Sequence, residues 1–186
     1  RMQAGCVAVG LLVFAAGLSA ADFTFITNSG AITITKYNGT GGDVVIPRAI
    51  GGWPVTSIGA RAFYYSRNVK TVTIPDSIVS IGASAFEACT NLENVVIPGG
   101  LSCLENSVFA WCRSLTNVSL PQGILSIGDK AFRYCENLVS VNLPTNVCSI
   151  GDYAFEQCAR IQNITIPGSV TNIGAHAFCT CSQLVD

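Results

Sequence analysis

The feature that most constrains this chain is a period of 23 residues that runs through most of its length. Prolines, phenylalanines and cysteines each recur at that spacing, at fixed offsets from one another. The prolines are Pro75, Pro98, Pro121, Pro144 and Pro167; the phenylalanines are Phe63, Phe86, Phe109, Phe132, Phe155 and Phe178; the cysteines are Cys89, Cys112, Cys135, Cys158 and Cys181. A period of this length predicts a solenoid, in which each repeat stacks only on its neighbours.

Each repeat contains three segments with different patterns. Short alternating runs such as residues 95–97 are rich in β-branched side chains and predict a first strand, which the following proline ends. A second apolar pair, such as Ile124 and Ile127, predicts a second short strand. Residues 85–89 and their copies carry apolar side chains at i, i+1 and i+4, which favours a single helical turn with phenylalanine and cysteine inward. The predicted fold class is therefore an α/β, mostly β, solenoid whose stacked coils form ladders of identical side chains about 4.8 Å apart.

The chain ahead of the repeats divides into two segments. Arg1, an uncharged apolar run over residues 5–18 and the small residues 19–21 predict a secretory signal peptide over residues 1–21, cleaved after Ala21 or Ala20. An uncleaved membrane anchor is the alternative, although the run is short for a full span. Residues 23–27 and 31–35 alternate with period two and predict a β-hairpin. We expect residues 22–53 to form a β cap on a solenoid that occupies residues 54–186.

The sequence stops at residues 184–186, where the next strand of the repeat would begin, and no C-terminal cap follows. An uncapped solenoid exposes the apolar side chains of its last coil. We therefore expect one of three arrangements: a longer chain of which this is a part, a last coil that frays, or end-to-end self-association through that coil.

The charge content argues against several classes of function. Charged residues make up 11% of the chain, the net charge is −1, and His176 is the one histidine. Such a chain has no basic surface for nucleic acid and few groups for acid–base or metal chemistry. We predict no catalytic residue, no cofactor, no metal site, no nucleic-acid partner and no membrane span after signal cleavage.

The cysteines invite a disulfide interpretation, because nine of them in a secreted chain would normally indicate a disulfide framework. Five of them, however, occupy one repeat position, so stacking places them one strand spacing apart and pointing the same way. A disulfide needs Cβ atoms about 3.8 Å apart. We therefore predict a column of buried free thiols, which also does not converge on a metal ion. Cys179 is expected at the surface, and Cys103 and Cys148 lie at other repeat positions.

The outward positions of the first strands carry short amide and hydroxyl side chains. The residues that we expect to contact a ligand are Asn94, Asn117, Ser119, Ser140, Asn142, Asn163 and Thr165. Each of these coils has a charge-free stretch at this point, so the face can hydrogen-bond to sugar hydroxyls or to a flat protein surface without desolvating a charge. The alternative is a solvated sheet face with no ligand, whose residues serve solubility and strand propensity.

The motif Ile-Gly-x-x-Ala-Phe-x-x-Cys-x-x-Leu-x-x-Val-x-Ile-Pro, repeated in register over about residues 44–185, resembles the BspA-type branch of the leucine-rich repeat family, in its 23-residue class. One coil departs from it: Leu104 and Glu105 replace Ile-Gly, so Glu105 either strains that corner or faces solvent. The resemblance implies a non-catalytic scaffold, secreted or at the cell surface, that binds an extracellular protein or glycan and serves adhesion. The alternative function is a structural spacer that presents a further C-terminal domain, a catalytic one included.

Overall fold

The structure is a computed structural model, and it describes residues 20–185. The predicted signal segment, residues 1–21, falls almost entirely outside this described part. In chain order the elements are a 3-10 helix (Ala20–Asp22) and the strands β1 (Phe23–Asn28), β2 (Ala31–Tyr37), β3 (Gly42–Val45), β4 (Ala49–Ile50), β5 (Trp53–Ile58), β6 (Val69–Thr73), β7 (Ser80–Ile81), β8 (Asn94–Val96), β9 (Cys103–Leu104), β10 (Asn117–Ser119), β11 (Ser126–Ile127), β12 (Ser140–Asn142), β13 (Ser149–Ile150) and β14 (Asn172–Ile173).

The strands stack coil upon coil into parallel sheets. The first strands form one sheet in the order β12-β10-β8-β6-β3. From β6 to β12, each residue pairs with the residue at the same repeat position in the next coil, so that Val118 lies between Val95 and Val141. The second strands β9, β11, β13 and β14 form another parallel sheet. Strands β1, β2, β4, β5 and β7 form a third sheet. The predicted solenoid is therefore confirmed.

The N-terminal hairpin of β1 and β2 is present as predicted, and it is joined to the coils by hydrogen bonds. Strand β2 pairs in parallel with β5, so the hairpin belongs to the third sheet, together with β5 and β7. The ring of Tyr37 stacks on Phe63 with centroids 5.0 Å apart, and Phe23 meets the same ring edge-on at 6.3 Å. Strand β3, which lies within the predicted cap segment, already pairs with β6. The hairpin thus covers the apolar end of the first coil with aromatic side chains.

The core is organised around the column of phenylalanines, one from each coil. Phe63, Phe86, Phe109, Phe132 and Phe155 are all fully buried. Neighbouring rings are stacked nearly parallel, with centroids from 4.8 Å apart (Phe63 and Phe86) to 5.6 Å apart (Phe109 and Phe132). These separations exceed the contact distance of a face-to-face sandwich and match the offset stacking that aromatic pairs prefer. The repeat period therefore places each ring where it packs on the ring of the previous coil.

The segment expected to be a single helical turn is instead a run of tight turns, and this corrects the sequence-based prediction. The amides of Ala85 and Glu87 bond back three residues within the coil, whereas those of Ser84 and Phe86 bond to carbonyls of the next coil. Ser84 and Ala88 have positive φ angles of 58° and 60°, which a right-handed helix does not contain. Phenylalanine and cysteine still point inward, but the backbone amides of this segment bond alternately within their own coil and to the next coil.

The glycine of the Ile-Gly corner is needed because consecutive coils approach closely there. A Cβ atom on Gly151 would lie 2.6 Å from the amide nitrogen of Asp129, and one on Gly82 would lie 2.5 Å from that of Ala60. Both distances are shorter than a van der Waals contact, so a side chain forces the backbones apart. Glycine is therefore required here by close approach of two backbones.

The coil that carries Glu105 in place of this glycine has a different corner. Strands β7 and β9, which flank this corner in consecutive coils, belong to different sheets. The amides of Gly82 and Gly128 each donate to the preceding coil at 2.8 Å, and Glu105 makes no such bond to Ile81 within residues 20–185. Glu105 is exposed. Of the two alternatives left open by the sequence, the structure supports the second, because the Glu105 side chain faces solvent; the second-strand ladder is interrupted at this corner.

The last described coil exposes more apolar surface than the coils before it. Ile173 is 48% exposed, whereas Ile150, its equivalent one repeat earlier, is fully buried. Val185 is 68% exposed. Self-association through this coil stays a prediction.

Replacing Phe132 by alanine tests the importance of the aromatic column. We expect the free energy of unfolding to fall by about 3–5 kcal/mol, because the substitution leaves a cavity between Phe109 and Phe155. Urea unfolding followed by circular dichroism measures this change. Leu125→Ala is the matched control, since Leu125 is 49% exposed, and it should cost less than about 1 kcal/mol. A loss below about 1 kcal/mol for Phe132→Ala would contradict the column.

Candidate functional site

The candidate site is the outward surface of β8, β10 and β12 together with Asn163 and Thr165, which we call the polar strand face. Along each of these strands the central valine points into the core, and its two neighbours point to solvent. Val95, Val118 and Val141 are 5%, 4% and 3% exposed, so the alternation of the sequence is realised as one buried and one open face. The sheet thus fixes both the direction and the spacing of the outward side chains.

The seven residues expected to contact a ligand lie on this one face in two neighbouring columns. The first column contains Asn94, Asn117 and Ser140, which are direct partners in the ladder, and a single bridge continues it from Ser140 to Asn163. The second column runs from Val96 through Ser119 to Asn142, and Thr165 stands at the next repeat position. Val96 is 70% exposed and interrupts the polar character at the N-terminal end. Ligand binding by these residues stays a prediction.

Most of the polar side chains on this face are free to bond to a ligand. Ser140 Oγ donates to Asn117 Oδ1 at 3.2 Å, and Asn117 Nδ2 donates to Thr116 Oγ1 at 3.4 Å, so Asn117 is partly used within the protein. Of the remaining members of the face, five make no side-chain hydrogen bond to any residue in the range 20–185: Asn94, Ser119, Asn142, Asn163 and Thr165. Their donors and acceptors are met by water or by a ligand.

A cleft of about 520 Å³ opens at the C-terminal end of the polar strand face. Strand β12 pairs with β10 over three residues, but on its other side only Ser140 is bridged to the last coil. Beyond that bridge the chain of the last coil separates from β12. The walls of the cleft include Asn142, Leu143, Thr145, Asn163, Thr165 and Pro167. No side chain that lines the cleft carries an ionisable group.

A second surface feature, an aromatic and arginine stack on the tight turns, was missed by the sequence-based predictions. Trp111 stacks on Tyr134 with ring centroids 3.8 Å apart and an angle of 8° between the planes. Tyr153 stacks on His176 at 5.1 Å, and the guanidinium of Arg133 lies 5.1 Å from the Tyr134 ring and 5.5 Å from the Tyr153 ring. Both ring pairs are separated by one repeat, a signal that the sequence contains. Stacking covers one face of each ring within a pair, and the Arg133 guanidinium lies over the rings of Tyr134 and Tyr153.

The cysteine column lies beside the phenylalanine column and has a specific hydrogen-bond pattern. Each of its thiols donates to the carbonyl of the phenylalanine in the preceding coil; Cys135 Sγ, for example, lies 3.2 Å from Phe109 O. Burial raises the pKa of Cys89 to about 12 and that of Cys181 to about 11, and raises the pKa values of Cys112 and Cys135 well above the ordinary range. Thiols of this kind are not nucleophiles at neutral pH, because the reactive species is the thiolate.

The remaining chemistry-bearing side chains are scattered over the described surface. Cys148 and Cys179 are exposed and unpaired by disulfides, and Cys103 is half-buried. Among residues 20–185 no three histidine, cysteine, aspartate or glutamate side chains gather closely enough to hold a metal ion. The helix content of that same range includes nothing long and apolar enough to traverse a bilayer.

The stacked coils, the in-register sheets and the phenylalanine column define a repeat scaffold of the leucine-rich repeat class. A family model for the BspA type leucine rich repeat region matches residues 56–185 in six copies, and because this covers more than half of the chain, the chain belongs to that family. No curated protein sequence matches the chain significantly.

Three solved structures show how this chain compares with others of the class. The leucine rich repeat protein of T. pallidum is 30% identical, with a TM-score of 0.78 over 91% of each chain. A leucine rich cell surface protein of Faecalibacterium prausnitzii is 31% identical, with a TM-score of 0.69 over 90% of this chain and 53% of the other. The pneumococcal vaccine antigen PcpA, at 23% identity, has a TM-score of 0.63 over 85% of this chain and 45% of its own, and shows the fold alone.

The raised pKa values of the buried thiols predict a loss of stability at alkaline pH. In the unfolded chain these thiols ionise near pH 8.5, but in the folded chain they stay neutral to about pH 11 or above. The stabilisation is therefore complete below about pH 8 and decreases as the pH rises, by up to about 1.4 kcal/mol per pH unit for each thiol. Urea unfolding at a series of pH values from 7 to 10 measures this slope.

The controls for this measurement are two cysteine variants. Cys135→Ala removes a buried thiol and should make the dependence on pH shallower, whereas Cys148→Ala removes an exposed thiol and should leave it unchanged. Equal slopes for the parent chain and Cys135→Ala would contradict the thiol column as the cause.

Proposed function

We propose that this chain is a non-catalytic binding scaffold, secreted or held at the cell surface, that uses the polar strand face to bind an extracellular protein or glycan in adhesion. The observation that carries this proposal is the gathering of seven amide and hydroxyl side chains on one exposed, regularly spaced sheet face. Such rows offer both donors and acceptors at fixed spacing.

The rigidity of the sheet favours binding. The outward side chains of β8, β10 and β12 stand on strands whose inward valines are buried in a continuous core. A binding surface that is held in place before the ligand arrives loses less conformational entropy on association. The in-register ladder therefore holds the outward side chains of this face in fixed positions, as a folded framework holds the binding loops of other proteins.

The distribution of charge separates this face from the turn surface. The turn surface carries charged residues, among them the ion pairs of Arg113 with Glu136 at 3.3 Å and of Arg133 with Glu156. The polar strand face from β8 to β12 has no charged residue among its outward positions. We infer that recognition depends on hydrogen bonds and shape, with little dependence on ionic strength.

The proposed location outside the cell has two supports. The predicted signal segment, residues 1–21, would direct export. The F. prausnitzii protein, which is similar over 90% of this chain, is described as a leucine rich cell surface protein.

The experiment is a screen of the chain against arrays of extracellular proteins and glycans, followed by surface variants. We expect a ligand whose affinity falls about 10-fold or more in the double variant Asn117→Ala and Asn142→Ala, since each lost hydrogen bond contributes about 0.5–1.5 kcal/mol. The matched control is Tyr65→Ala with Lys130→Ala on the turn surface, where both residues are exposed, and its affinity should be unchanged.

Two results would contradict the proposal. Loss of binding in the turn-surface control but not in the strand-face variant would move the site to the other side of the coil. No ligand from either array would favour the alternative function, a spacer that presents another domain.

A further inference from the structure

We propose that the cleft between β12 and residues 163–168 is a subsite for one unit of a neutral saccharide. This inference rests on the proposed function, because it assigns a ligand class and a place on the polar strand face. The cleft is the point where the regular pairing of the first-strand sheet ends: the register that joins Ser119 to Asn142 is not repeated between Asn142 and Thr165 among the described residues.

The exposure of the core residues shows that this opening is specific to the last coil. Ile97 and Leu120 follow β8 and β10 and are each 5% exposed, since the next coil covers them. Leu143 occupies the same repeat position after β12 but is only partly buried, and it lines the cleft. Ile166, one repeat further, is 37% exposed. Separation of the last coil therefore turns a core position into the floor of a surface cleft.

The size of the cleft suits a compact ligand. Its volume of about 520 Å³ falls within the range of about 300–1,000 Å³ that is usual for small-molecule sites. One or two pyranose rings occupy less than this volume, so the unit could enter from a longer glycan that lies along the polar strand face. The columns of Asn94, Asn117 and Ser119 would then contact the neighbouring units.

The lining combines the two kinds of contact that a sugar offers. Asn142 and Asn163 each present two amide donors and a carbonyl acceptor, and neither bonds to another side chain within residues 20–185. Thr165 adds a hydroxyl that can donate and accept. Leu143 and Pro167 provide apolar surface for the C–H face of a ring. Vicinal hydroxyls on an otherwise apolar ring match this arrangement.

The absence of charge in the lining selects the class of saccharide. None of the residues that line the cleft is ionisable, so a carboxylated, sulfated or phosphorylated sugar would lose its hydration without gaining a cationic partner. We therefore assign the subsite to neutral sugars, and expect acidic glycans to be rejected.

An extended peptide is the competing occupant, and the geometry argues against it. Strand addition uses several consecutive main-chain groups along a free sheet edge. Here the bridge between Ser140 and Asn163 closes one end of that edge, which leaves only the main chain at Asn142 and Leu143 accessible. Two residues provide too little edge for a peptide strand.

The experiment uses an array of neutral oligosaccharides made of hexose and N-acetylhexosamine units, with sialylated and sulfated forms of the same sugars. We expect binding of a neutral member that falls about 10-fold or more in the double variant Asn142→Ala and Asn163→Ala. Binding should change less than about twofold between 50 mM and 500 mM NaCl, because no charge takes part. Thermal unfolding confirms that the exposed substitutions leave the fold intact.

The matched control is the double variant Tyr65→Ala and Lys130→Ala on the turn surface, whose affinity should be close to that of the parent chain. A third double variant, Asn94→Ala and Ser119→Ala, removes two polar groups from the polar strand face away from the cleft. If this third variant loses binding and the cleft variant keeps it, the polar strand face still binds a ligand but the subsite is wrong. Preference for acidic glycans, or capture of unstructured peptides that depends on Asn142, would overturn the sugar assignment while the proposed function stands.

Discussion

The structure depends on main-chain hydrogen bonds between consecutive coils at a single, fixed separation. Phe132 shows how completely the interior uses them: its amide donates to Ala154 O of the next coil, and its carbonyl accepts from the Cys135 amide and from the Cys158 thiol. A coil alone could satisfy only half of these groups, and an unpaired buried amide or carbonyl costs about 1–3 kcal/mol. The requirement that every coil match its neighbours in this way explains why one sequence pattern recurs every 23 residues.

The same requirement sets the side chains that each repeat position accepts. Stacked phenylalanines fill the space that the separation defines, thiols reach the carbonyls of the coil before, and glycine fits where two backbones come too close for a Cβ atom. Glu105 breaks the glycine rule, and the second-strand sheet is interrupted there while the first strands and the tight turns continue across the same coil. The ladders are therefore partly independent, and the loss of one corner does not end the solenoid.

The sequence alone was sufficient for the architecture, because period, strand alternation and proline positions each depend on local chemistry that the stacking then repeats. It was not sufficient for the turns. Residues 85–89 have a pattern compatible with a helical turn. The neighbouring coil competes for alternate amides, and the segment forms tight turns with positive φ angles at Ser84, just before it, and at Ala88. The outward columns could be read from the sequence, whereas the cleft beside Asn142 could not, since it arises from a local loss of pairing between identical patterns. The Trp111 and Tyr134 stack has a signal in the sequence, because the two residues share one repeat position.

The most direct measurement of the central claim is residue-resolved hydrogen exchange of the backbone amides in the native chain. If bonds between coils hold the fold together, the amides of Gly128, Gly151, Phe109 and Phe132 should exchange slowly, since each donates to a neighbouring coil. The Glu105 amide, which lacks the equivalent bond, should exchange much faster although it stands at the same repeat position as Gly128. Equal protection of Glu105 and Gly128, or fast exchange at Phe109 and Phe132, would contradict the account.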